Sequence, residues 1–136
     1  MIRRATLDDL ETAVQFAKEF HAESVHSWIP VDNENLTDWM ASLIEGGAVF
    51  LSEHGIIGGM ILPLYFNQAF KLAVEMFWWA PKDGTPLRKA YEAWATEQGA
   101  VISQFSGQRN ERSDTVEKLF RRAGYEPVET GFMKRL

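Results

Sequence analysis

The sequence predicts an α+β (mixed α/β) protein: a central mixed, mostly antiparallel sheet flanked by about four helices, with one β-α-β crossover. Three observations predict it. Helical and strand periodicities interleave in the order β-α-α-β-β-β-α-β-α-β, which calls for a sheet covered by helices. Two apolar runs in the middle of the chain meet around the turn "EHG", which marks a hairpin. A third apolar run leads through a proline-started helix into another strand. Such a unit places its two strands side by side and parallel, with a right-handed connection.

The elements follow in order. "IRRA" is a short opening strand. Thr6 with Asp9 makes a helix start, because a threonine oxygen can accept a free helical N–H. Leu10, Ala13, Val14, Ala17 and Phe20 then recur at helical spacing. A less regular stretch, "HAESVHSWIPVDN", precedes a second amphipathic helix with Leu36, Trp39, Met40, Leu43 and Ile44 on its apolar face. Gly46-Gly47 stops it. On this pattern Trp39 belongs to the core.

"AVFLS" and "GIIGGMILPLYF" form the hairpin, and Gly58-Gly59 in the second strand predicts a bulge or a close backbone approach. "KLAVEMFWWA" is the third long strand. Pro86 opens a helix with Leu87, Ala90, Tyr91, Trp94 and Ala95 on one face, closed by Gln98-Gly99. "AVISQFS" is a strand. Ser113 caps a last helix that buries Val116, Leu119, Phe120 and Ala123 and ends at Gly124. The tail "YEPVETGFMKRL" reads as one or two terminal strands.

The 136 residues are 46% hydrophobic, which suits one packed domain over residues 1–136. There is no cysteine, so disulfides and thiolate zinc sites are excluded. His21, His26 and His54 lack ligand spacing, so no metal is expected. A net charge of −5 disfavours a nucleic-acid or anionic-membrane surface. No apolar run is long enough to span a bilayer. "MIRRATLDD" lacks the apolar segment of a signal peptide, so a soluble cytoplasmic protein is expected.

The stretch "AVEMFWWAPKDGTP" places one carboxylate, Glu75, inside an apolar strand that runs into a short loop and a helix start. Apolar neighbours disfavour the charged carboxylate and raise its pKa toward the range of a general base. On a regular strand Glu75 shares a face with Ala73, Phe77 and Trp79. The alternative is a Glu75 that points to water from a half-exposed face. The loop-to-helix turn offers unpaired N–H groups and the positive end of a dipole, which suits an anion.

This order of elements resembles the GNAT superfamily of acetyl-CoA-dependent N-acetyltransferases, over nearly the whole chain. The resemblance is carried by "IRRATLDDLETAVQFAKEFHAES", "EMFWWAPKDG", "LRKAYEAWATEQGA" and "VEKLFRRAGYEP". The "FHAES…LTDWMASLIEGG" opening and the "WW" pair look most like short acetyltransferase-like proteins, many of them phage-encoded. The resemblance implies acetyl-CoA as co-substrate and a primary amine as acceptor, with Glu75 as catalytic base. It implies a pantetheine arm along Phe77, Trp78 and Trp79, and a pyrophosphate at Lys82, Gly84, Thr85 and Arg88. Asn110 would add a contact before the last helix. His21, Glu23 and Trp28 would border the acceptor. Dimers are common in the family, so a homodimer fits the resemblance.

The chain departs from the family in two places. Family members carry R/Q-x-x-G-x-G/A on a longer loop, where this chain has only "PKDGTP", a truncated pyrophosphate loop. Lys82, Arg88 and Lys89 would supply charge in place of the missing amides, or lie on a solvated helix edge. The usual tyrosine of the last helix, which meets the leaving thiolate, is Phe120 here. Two functions therefore stand open: an N-acetyltransferase acting by direct attack, or a catalytically inactive GNAT-fold binding or structural module, for instance in a viral particle.

Overall fold

A computed structural model describes all 136 residues. Residues 1–106 form one compact unit and residues 107–136 a second. No helix is long and apolar enough to cross a membrane.

The first unit holds a five-stranded sheet in chain order: β1 (Arg3–Arg4), β2 (Ala48–Leu51), β3 (Ile56–Leu64), β4 (Asn67–Trp79) and β5 (Ala100–Gln104). All neighbours are antiparallel except β4 and β5, which are parallel. The parallel pair is joined by helix α3 (Gly84–Glu97), as the β-α-β pattern requires. Helices α1 (Leu10–Glu23) and α2 (Asn33–Gly46) lie between β1 and β2 in the chain.

Two apolar clusters use the two faces of the sheet. One joins Ala13, Val14 and Ala17 of α1, Met40, Leu43 and Ile44 of α2, and the inward residues Val49, Leu51, Ile56 and Phe77. The other joins Leu87, Tyr91, Trp94 and Ala95 of α3 to Ala48, Phe50, Ile57 and Ala73. Alternation along β2 feeds both clusters, so its four residues are all buried. The helical periodicities were therefore sound for α1, α2 and α3.

The start of α1 is more elaborate than a simple cap. A single 3-10 turn, Leu7–Asp9, precedes the helix, and the Thr6 N–H donates to Asp9 Oδ2 at 2.9 Å. The Arg3 guanidinium donates to both Asp9 oxygens at 2.6 and 2.7 Å. The Arg3 hydrogen bonds, helped by the Thr6 N–H, hold the Asp9 carboxyl at a pKa of about 2.

Several expectations need correction. Helix α3 begins at Gly84 rather than Pro86, with Pro86 in the first turn, where a missing N–H leaves no helical carbonyl unmatched. Strand β4 begins at Asn67, because a tight turn at Tyr65-Phe66 lengthens the second hairpin. Trp39 is 40% exposed. It sits at the edge of the α2 stripe and leans on the Phe77 ring, with centroids 5.9 Å apart. Trp39→Ala should then cost about 2 kcal/mol, less than a fully buried aromatic, by urea unfolding at neutral pH. A loss of twice that would show that the ring is a core residue after all.

The second unit holds one helix, α4 (Ser113–Arg122). Ser113 is its first helical residue, and Arg112 holds the cap position. The Ser113 hydroxyl instead ties down the preceding loop: it accepts from the Asn110 N–H and donates to the Asn110 carbonyl, both at 2.8 Å. No residue of α4 is fully buried, and Leu119 is exposed. Phe120 and Tyr125 meet edge to face, centroids 5.3 Å apart. Gly124, with φ of +90°, ends the helix as expected. The tail from 125 to 136 forms no strand. A strand exists only where its backbone finds a neighbouring one, and this unit has none to offer.

Candidate functional site

The site is built around the C-terminal half of β4. The pairing of β4 with β5 runs from Lys71 to Val74 and stops at Gln104. Beyond Val74, β4 continues to Trp79 with β3 on one edge and no strand on the other. The two parallel strands thus part, and the backbone edge of residues 75–79 faces the opening.

Glu75 stands where they part. It pairs with Gly59, whereas Phe77 pairs with Gly58, so Met76 is an extra residue in β4. This bulge was signalled by the Gly58-Gly59 pair on the facing strand. Its consequence for Glu75 was not legible. Ala73 belongs to the cluster under α3, and Phe77 and Trp79 to the cluster under α1 and α2. The expectation that Glu75 shares a face with Phe77 and Trp79 is therefore wrong. The extra residue reverses the alternation, so Glu75 keeps the parity of Ala73 and looks toward α3.

Burial pushes the Glu75 carboxyl up to a pKa of about 7, and a hydrogen bond from the Ser106 backbone N–H opposes that rise. The bulge also takes the backbone groups of Met76 out of the regular ladder.

Trp78 and Trp79 lie on opposite faces. Trp78 packs against the α3 cluster and meets Phe105 edge to face at 5.4 Å. Trp79 packs against the α1 and α2 cluster and leans on Phe16 at 5.8 Å. Its Nε1–H donates to Glu23 Oε2 at 3.0 Å, which links the last turn of α1 to the end of β4. Glu23 and Trp79 were singled out separately in the sequence, and the fold brings them together. His21 lies two residues before Glu23, its carbonyl accepting from the Ser24 N–H and hydroxyl. Trp28 is half exposed in the turn that follows.

The loop after β4 is short. Lys82 is exposed, and Asp83 sits in the left-handed region, with φ of 63°, as the residue before α3. Gly84 and Thr85 follow as the first two helical residues, and their N–H groups precede the first intrahelical bond, from the Leu87 N–H to the Asp83 carbonyl. A Cβ on Gly84 would lie 3.4 Å from the Trp78 ring. Arg88 is mostly buried and donates to Glu92 one turn along α3. Asn110 belongs to the second unit, where its Oδ1 accepts from the Arg112 N–H at 2.8 Å. A separate groove of about 800 Å³ runs beside α1, lined by Leu10, Gln15, Phe16 and Thr37 among others, and does not include Glu75.

A sheet whose parallel strands part next to a bulge, with a helix starting just beyond, is the fold of the GNAT acetyltransferases. Solved structures bear this out. The chain is similar to AAC(6')-Iy in complex with the bisubstrate analogue CoA-S-monomethyl-acetylneamine, with a TM-score of 0.73 and 14% identity over 100% of this chain and 97% of that one. It is similar to an acetyltransferase of Trypanosoma brucei, with a TM-score of 0.67 and 15% identity over 100% and 99% of the two chains. A transcriptional regulator from Bacillus halodurans C-125 matches equally well, with a TM-score of 0.74 and 14% identity over 100% and 99%. At these identities the likeness is one of fold, and a fold hosts more than one function. No protein-family model matches the sequence, and no curated protein is similar to it.

Proposed function

We propose that this protein is an acetyl-CoA-dependent N-acetyltransferase that passes an acetyl group to a primary amine by direct attack. The observation that carries the reading is the parting of β4 and β5 at Val74, with Glu75 at the apex. The bare edge of residues 75–79 offers backbone partners to an extended pantetheine arm, much as a sheet edge accepts a strand.

In this reading the neutral amine attacks the thioester carbonyl, and Glu75 takes a proton from the attacking nitrogen, directly or through water. The carbonyl oxygen gains charge and is stabilised by backbone N–H groups, with Met76 at the bulge the nearest out of the ladder. Collapse breaks the carbon–sulfur bond, and the CoA thiolate takes a proton from solvent. A carboxylate with a pKa of about 7 is matched to this work at neutral pH. Glu23, held by Trp79, borders the acceptor side together with His21 and Trp28.

The phosphate end is weaker. The amides of Gly84 and Thr85 and the dipole of α3 favour an anion, but Asp83 offsets Lys82 and Glu92 occupies Arg88. Acetyl-CoA should therefore bind weakly and with salt dependence. Thermal melts with millimolar acetyl-CoA test this at low and high salt. Saturation a hundredfold above Kd would add about 2.7 kcal/mol to stability. A clear upward shift at low salt that shrinks at high salt is expected. No shift at low salt would remove the cofactor, and with it the enzymatic reading.

A further inference from the structure

The hairpin of β3 and β4 outruns the rest of the sheet. Strand β2 pairs with β3 only from Ile56 to Gly59, and β5 pairs with β4 only from Lys71 to Val74. The far end of the hairpin, residues 62–70, therefore has no strand on either outer edge, and none of its residues is buried. A bare two-stranded hairpin is marginally stable in water unless a face of it is packed. This arm nonetheless carries three rings and a leucine: Tyr65 is 91% exposed, Phe66 71%, Phe70 48% and Leu62 41%. The Tyr65 and Phe66 rings meet edge to face at the turn, centroids 5.2 Å apart.

Neither edge of the arm is suited to adding a strand. Pro63 supplies no N–H on the β3 side. On the β4 side, Leu64 pairs with Asn67 but Pro63 with Lys71, so Gln68, Ala69 and Phe70 stand out of the ladder. The Ala69 N–H donates to Asn67 Oδ1 at 3.2 Å. What the arm offers a partner is its rings.

Charge and area point to the occupant. Residues 54–74 form the longest stretch of the chain without Asp or Glu, and the arm itself has no charged side chain. The chain as a whole carries a net charge of −5, so two copies repel over most of their surfaces, but not at the arms. Aromatic side chains bury about 150–250 Å² each, so at these exposures one arm presents about 450 Å² of apolar surface. Two arms give about 900 Å², and the polar residues beside the rings bring the total near the low end of a specific interface, about 1,200 Å².

We infer that two copies of this chain associate through the ends of their β3–β4 hairpins, with Tyr65, Phe66 and Phe70 of one copy packing on the same rings of the other about a two-fold axis. The arm lies at the opposite end of β4 from Glu75, so the inference does not depend on the enzymatic reading. An interface of this size gives a weak dimer that forms in the micromolar range.

Sedimentation equilibrium of the full chain, from low to high micromolar concentration, reads the association. The parent should pass from monomer to dimer. Tyr65→Ser with Phe66→Ser removes four rings from the interface, two per copy. It should weaken the dimer by about 100-fold or more, with an unchanged circular dichroism spectrum. Where that variant does not fold, Gln68→Glu keeps every ring and sets a carboxylate on each arm, and the dimer should weaken at low salt and recover at high salt. A parent that stays monomeric throughout overturns the inference. So does a folded variant as dimeric as the parent, which would place the interface elsewhere. A monomeric parent that floats with phosphatidylcholine vesicles, where the serine variant does not, would assign the rings to a lipid surface and overturn it as well.

Discussion

Glu75→Gln should lower amine acetylation by about 10²–10⁴-fold at neutral pH, the usual scale for a general base, and should make the protein more stable in the same experiment. The two effects have one cause. The folded-state pKa of about 7 lies above the ordinary 4.5 because burial disfavours the charge. Between those values the native state keeps a proton that the unfolded chain has released. Stability therefore falls as pH rises through this window, and the cost is complete above pH 7. The size is about 3 kcal/mol, from 1.36 kcal/mol per unit. A neutral amide of the same shape carries no such cost. Urea unfolding should find the variant more stable than the parent at about pH 8 and no more stable at about pH 4. The parent's kcat/KM should rise through pH 7, and the variant should lose that limb. Full activity with an unchanged profile would make Glu75 a structural residue and turn attention to Glu23, which Trp79 holds at the end of the same strand. A variant less stable than the parent at about pH 8 would show that the carboxylate is better solvated than its surroundings indicate.

The second large effect is expected at Gly59. A Cβ there would stand 2.4 Å from the Val74 carbonyl oxygen and 2.4 Å from the Tyr91 hydroxyl. The first neighbour is backbone in a paired strand and cannot turn aside. The second belongs to a fully buried ring wedged among Trp94 and Phe105. Gly59→Ala should cost about 3 kcal/mol or more, at the upper end for overpacking. Gly46→Ala is the control, since a Cβ there meets nothing within 4 Å, and it should melt with the parent. Thermal and urea unfolding of the two variants decide the matter. A Gly59→Ala protein as stable as the parent would mean that β3 and β4 can separate at the bulge, and that Gly59 is not what admits Tyr91.

The local elements were legible in the sequence because their signals are local. The 3.6-residue stripes of α1, α2 and α3 name the residues that the two cores bury, and Gly99, with φ of +83°, closes α3 as its position suggests. The first hairpin and the parallel crossover pair followed from connection rules, and the Gly58-Gly59 pair marked the register shift between β3 and β4. Glu75 stood out as a lone carboxylate among apolar residues, and its raised pKa follows from that setting. Relations between segments were a different matter. A bulge belongs to a pair of strands, so the extra residue at Met76, and the turn of Glu75 toward α3, could not be read from β4 alone. Whether the tail forms strands depends on a partner edge, and whether Trp39 is core depends on how far the α2 stripe reaches across the sheet. Arg88 read as a free cation until α3 placed Glu92 one turn away. By itself the sequence determined the existence and order of the helices and of the strands through β5, and that a carboxylate stands on the third long strand. Only the tertiary structure decided which face that carboxylate looks to and that Glu23 meets Trp79, because side-chain neighbours across strands and helices are set by register and packing, which no single segment encodes.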